Sequence, residues 1–90
     1  MATVRGVSGP DRDGLYTARM DGLGISFGRV KEPAAWRTGD QQHYHSQGYW
    51  WLKHPDHRGR IFILREEPKE GRELNLRDAV AELDADVIQI

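Results

Sequence analysis

The four histidines of this 90-residue chain, His43, His45, His54 and His57, fall within one stretch of fifteen residues. Tyr44, Tyr49, Trp50 and Trp51 lie in the same stretch. Imidazoles and large aromatic rings serve most often in ligation, proton transfer and anchoring, so three kinds of chemistry are weighed from these residues.

The first is metal binding. His43 and His45 are two apart, so in an extended segment both rings point to one side. His54 and His57 are three apart across a turn and can converge. Together they would make a four-histidine site, or three ligands plus water, for zinc or a related divalent ion. Asp40 and Asp56 are the nearby carboxylates. The helical His-Glu-x-x-His pattern and cysteine pairs are both absent from the sequence.

The second is acid–base catalysis. His43 or His45 with His57 would exchange protons near neutral pH, while Arg58 or Arg60 held a phosphate or carboxylate. That set suits metal-independent phosphodiester cleavage of the small-ribonuclease type. No Gly-rich phosphate loop or nucleophile elbow accompanies it. The third is single-stranded nucleic-acid binding, with Tyr49, Trp51 and Phe62 as stacking platforms and Lys53, Arg58, Arg60 and Arg65 along the backbone path. Over 53–65 those four cations face one acid, Asp56.

The elements that must position these groups read as follows. Residues 1–13, with Gly6, Gly9 and Pro10, are expected to be an N-terminal arm. Asp21-Gly22 predicts a type I′ hairpin turn, which pairs Met20 with Leu23, Ala18 with Ile25 and Tyr16 with Phe27 on a core face. The opposite face carries Leu15, Thr17, Arg19, Gly24, Ser26 and Gly28, nearly bare on its second strand and open to close approach. Residues 31–39, with Pro33 and Gly39, predict a short helical turn anchored by Trp36. Residues 39–48 form a long polar connection, with a short strand around Tyr44 as an alternative. Residues 49–53 and 60–65 are apolar on both faces and predict inner strands, joined by a turn with Pro55-Asp56 and Gly59. After a charged connector, Asn75 predicts an N-cap with Asp78 in an approximate capping box. The spacing of Leu76, Ala79, Val80 and Leu83 predicts a helix, and 87–90 a last strand.

The expected fold is therefore α+β, a small antiparallel sheet of four to five strands with one C-terminal helix packed on a face, in a single domain over 1–90. The net charge of −1 with 30% charged residues gives no global field toward nucleic acid. No apolar run reaches bilayer-spanning length, so no membrane is expected. The absence of cysteine fits a reducing cytoplasm. A chain this short buries limited surface and gains from pairing with itself or a partner.

The function expected from these features is that of a small non-enzymatic binding protein. It would occupy a surface of a larger protein or nucleoprotein, without a cofactor, in the manner of phage or mobile-element inhibitors such as anti-CRISPR proteins. Tyr44, Tyr49, Trp51, Arg58 and Arg60 are the expected contacts, because Trp, Tyr and Arg dominate binding hot spots. On that reading Trp51→Ala or Arg58→Ala abolishes binding and leaves the melting temperature nearly unchanged.

Overall fold

The computed structural model describes residues 2–30, 36–38, 41–43 and 49–84, with side chains for 2–30 and 49–84. The strands are β1 (Ala2–Ser8), β2 (Tyr16–Met20), β3 (Leu23–Arg29), β4 (Trp36–Thr38), β5 (Gln41–His43), β6 (Trp50–Lys53), β7 (Arg60–Leu64), β8 (Glu73–Leu74) and β9 (Ala81–Asp84). Seven of them form one antiparallel sheet in the order β8-β1-β2-β3-β6-β7-β9, and β4 pairs with β5 in a separate two-stranded sheet. The fold is all-β, a curled half-barrel, and the described residues contain no α-helix. This corrects the expected α+β class.

The predicted hairpin is present in the predicted register. Asp21 and Gly22 both hold positive φ, 50° and 76°, as a type I′ turn requires. Tyr16 faces Phe27, Ala18 faces Ile25 and Met20 faces Leu23. Of these, Ala18, Met20, Ile25 and Phe27 are buried, whereas Leu23, beside the turn, stays 39% exposed. The strands expected at 49–53 and 60–65 are β6 and β7, both internal to the sheet.

The sheet is apolar on both faces. One face carries Val4, Met20, Phe27, Trp50, Leu52 and Phe62, with Leu74 and Leu76 packed against them. Leu74 on β8 and Leu64 on β7 stand at opposite sides of the strand order yet meet in this cluster, which is what curling accomplishes. Tyr16 stacks on Phe27 at 4.9 Å, and Trp50 meets Tyr16 edge-on at 5.8 Å. The other face holds Val30, Trp51, Ile61, Ile63 and Leu83.

Two elements depart from expectation for local reasons. Residues 2–8, read as part of an arm, are β1, and Val4 is fully buried between β2 and β8. The register shifts between Arg5 and Ser8, where Gly6 takes φ 68°. This irregularity puts Val4 and Val7, three apart, against one cluster, so the period-two signal that marks a strand is broken in the sequence.

The expected C-terminal helix stops after one 3₁₀ turn, Leu76–Asp78. Asn75 does cap it: its Oδ1 accepts from Arg77 N at 3.0 Å. Ala79 then turns extended (φ −61°, ψ 145°), and Val80 N donates to Ile63 O at 2.7 Å. The pattern 76, 79, 80, 83 fits a helix, but Ala81 and Leu83 against Glu82 and Asp84 also alternate. Pairing this segment along β7 satisfies an otherwise open strand edge, and that decides between the two periods.

Trp36–Thr38, expected in a helical turn, is strand β4, and the polar connection contains β5. Pro33, Tyr44 and the strand expected at 87–90 lie outside the described residues. No helix among the described residues is long and apolar enough to cross a membrane.

Candidate functional site

The β6–β7 turn holds His54 and His57. His54 Nδ1 accepts from the Asp56 backbone N–H at 3.1 Å, which places the proton of the neutral ring on Nε2. His57 N donates to His54 O at 3.0 Å, and Arg60 N to His57 O at 3.1 Å. Gly59 supplies the positive φ at the end of the turn, 78°. The His54 and His57 rings meet edge-to-face at 5.6 Å, and His57 meets Phe62 in the same way at 5.1 Å. The His54 imidazole therefore braces the turn, while the His57 ring packs on His54 and on Phe62 at the sheet's end.

The expected histidine cluster is not found among the described residues. Among the described residues no group of three or more His, Cys, Asp or Glu side chains can hold a metal ion. His43 stands in β5 opposite Trp36, in the separate two-stranded sheet, and His45 lies outside the described residues.

The expected contact residues that are described do not form one exposed patch, and Tyr49 and Trp51 share an apolar cluster. Trp51 is 5% exposed and Phe62 3%, on opposite faces of the sheet, so neither presents a ring for stacking. Trp50 and Trp51 simply fill the two faces, as adjacent strand residues must. Arg60 is held by Asp84 at 2.6 Å and Glu82 at 3.5 Å across β9. Tyr49 is half-buried, with the Arg65 guanidinium 5.9 Å from its ring centroid. Arg58 is exposed on the turn. Tyr44 lies outside the described residues.

What the sheet does bring together is a set of cations. Strands β1, β2, β3 and β6 contain Arg5, Arg19, Arg29 and Lys53 and not one carboxylate; the acids of the sheet stand on β8 and β9. Register places Arg5 opposite Arg19, and Arg19 opposite Gly24. The next row runs Ser8, Thr17, Ser26, Lys53. Both rows lie on the face that carries Trp51, and every member is exposed except Ser26, which is half-buried. Among the described residues Arg5, Arg19 and Lys53 enter no salt bridge.

The guanidiniums lean toward β8. Arg19 Nε lies 3.9 Å from where a Cβ on Gly6 would stand, and Arg5 Nη1 lies 3.9 Å from the same point on Gly71. Like charges directly opposite on neighbouring strands are destabilising by roughly 0.2–1 kcal/mol. A bound anion would relieve that repulsion.

Glu70 is an acid that feels the Arg5 charge, and its oxygens are already engaged. They accept from Val7 N at 2.9 Å and Gly6 N at 3.1 Å, two amides of β1 beyond the reach of β8. Those bonds hold its carboxyl below the ordinary value of 4.5, with Arg5 adding to the effect and lost solvation opposing it. Because the folded value is the lower one, the contribution is full above the unfolded value and is lost as pH falls through the folded value. Glu70→Gln should therefore lower the urea midpoint at pH 7, and the gap to wild type should close as the solution is acidified below pH 4.5. A gap independent of pH would show that the carboxylate charge has no part in holding β1.

The hairpin part of this cationic surface was legible in the sequence, since Thr17, Arg19, Gly24 and Ser26 alternate with the core residues. Arg5 was hidden by the irregularity in β1. Lys53 was read as part of a different path, because the sequence does not show that β6 lies beside β3. No protein-family model, no curated protein and no solved structure matches this chain.

Proposed function

We propose that the chain is a small non-enzymatic binding protein that docks the β1-β2-β3-β6 face onto an anionic surface of a larger macromolecule. The observation that carries this reading is the Arg5–Arg19 cross-strand pair with Lys53 on the same face, on four adjacent strands without a carboxylate. Of the expected acid–base set, His57 packs edge-on against His54 and Phe62 on the β6–β7 turn and His43 stands in the separate β4–β5 sheet, which supports a binding role over an enzymatic one. An inhibitor that covers a working surface of a host protein or nucleoprotein is one instance of this class.

The net charge of −1 makes the test sharp, because affinity for a polyanion must then come from a local surface. The native chain should be retained on immobilised heparin at low salt. Arg19→Ser/Lys53→Ser should elute in the flow-through, with a melting temperature within a few degrees of wild type. Arg12→Ser/Lys69→Ser changes the net charge equally at exposed positions outside these four strands and should remain bound. Equal elution of the two double variants, or no retention of the native chain, would remove the proposal.

A further inference from the structure

We infer that the anionic surface is the phosphodiester backbone of a nucleic-acid duplex, an inference that rests on the binding role proposed above. Three features choose this partner over other polyanions.

The first is the chemistry of the two rows. Phosphate oxygens are bound mainly by Arg, Lys, Ser and Thr side chains. Here Arg5, Arg19 and Lys53 stand among the hydroxyls of Ser8, Thr17 and Ser26.

The second is what the exposed face lacks. A protein–protein interface is anchored by aromatic or apolar hot spots at its centre. Of the apolar groups on this face, Val30, Trp51, Ile61, Ile63 and Leu83 are each 5% exposed or less and Leu15, Tyr49 and Val80 are half-buried, and Leu23, the exposed large hydrophobic residue among those described, belongs to the other face. A single-strand binder stacks bases on accessible rings. Trp51 is buried, Tyr49 is half-buried with the Arg65 guanidinium 5.9 Å from its ring centroid, and the Tyr16–Phe27–Trp50 cluster packs on the other face of the sheet. A duplex backbone needs neither anchor nor platform.

The third is width. Four strands at a spacing of ~4.8 Å present a face about 14 Å across, broader than the ~12 Å major groove. The face therefore rides on the backbone and reads no bases. Binding is sequence-independent, with a Kd of roughly 10⁻⁴–10⁻⁶ M at physiological salt, and three cations give a slope of log K against log salt of about −2.7.

The experiment is fluorescence anisotropy on the full chain, titrated into a labelled mixed-sequence duplex DNA, its scrambled version, an oligo-dT strand of equal length and poly-L-glutamate, over a salt series. Both duplexes should bind alike with the stated slope, more tightly than oligo-dT or polyglutamate. Arg19→Ser and Lys53→Ser should each flatten the slope by about one. Tighter binding to oligo-dT would overturn the inference in favour of base stacking. Binding to polyglutamate without binding to duplex would overturn it while leaving the broader anionic-surface reading intact. Binding to none of the probes would overturn both.

Discussion

Replacing Trp51 by alanine is expected to lower the unfolding free energy by about 3–5 kcal/mol and the melting temperature by on the order of 20 °C for a domain of this size. The indole is 5% exposed and packs in the cluster of Val30, Ile61, Ile63 and Leu83. Burying a tryptophan removes roughly 150–250 Å² from water. At about 25 cal/mol per Å² this amounts to roughly 4–6 kcal/mol as an upper bound. The outcome is opposite to the sequence-based expectation, in which Trp51 is a surface contact and its loss leaves stability nearly unchanged. Urea denaturation followed by far-UV circular dichroism decides between them. A loss below about 1 kcal/mol would place the ring outside the core. Arg58→Ala, at an exposed turn position, serves as the control and should change stability by no more than about 0.5 kcal/mol.

That contrast shows which parts of the fold local pattern can carry. The hairpin about Asp21-Gly22 was legible to the residue, because turn chemistry fixes register and register fixes faces. The inner strands β6 and β7 were legible from their apolar runs. Trp51 is expected at the surface and is buried, because a strand that is apolar on both sides does not say which side is covered, and its partner across the strands, Gly28, stands twenty-three positions earlier in the chain. The C-terminal segment was misread for a related reason. A pattern satisfying two periods is resolved by the open edge of β7, a partner the local window does not contain. The histidine stretch makes one site only where its loop folds back over the β6–β7 turn, and local spacing does not decide that; His43 stands in the β4–β5 sheet, whereas His54 and His57 stand on the β6–β7 turn. The cationic face, conversely, is assembled from strands far apart in sequence, and becomes visible only when β1 and β6 are set beside the hairpin.

Gly28→Ala should be destabilising, and its sign should reverse when Trp51 is removed. Gly28 faces Trp51 directly across β3 and β6. A Cβ built on Gly28 would stand 2.8 Å from Cζ2 of the indole and 2.9 Å from both Cε2 and Nε1. The ring therefore lies flat on bare backbone, an aromatic covering a strand glycine. Contacts that short force the indole to move, but Ile61 and Ile63 on the same face are fully buried and leave it little room. Overpacking of this kind costs about 1–3 kcal/mol. Working against that cost, alanine in a strand is intrinsically better than glycine by roughly 0.5–1 kcal/mol. In wild type the clash wins. In a Trp51→Ala background the clash is gone and the intrinsic term remains, so Gly28→Ala should stabilise that variant. The two substitutions should then couple by roughly 1–3 kcal/mol in a four-corner denaturation cycle, with Trp51→Leu closing the cycle if the alanine variant does not fold. Additive effects would mean that the indole does not rest on Gly28. The coupling bears on binding as well, because Lys53 Nζ sits 5.8 Å from the centroid of the same ring. An indole tilted by a Cβ at position 28 displaces the cation above it, so Gly28→Ala should also weaken heparin retention, although it changes no charge.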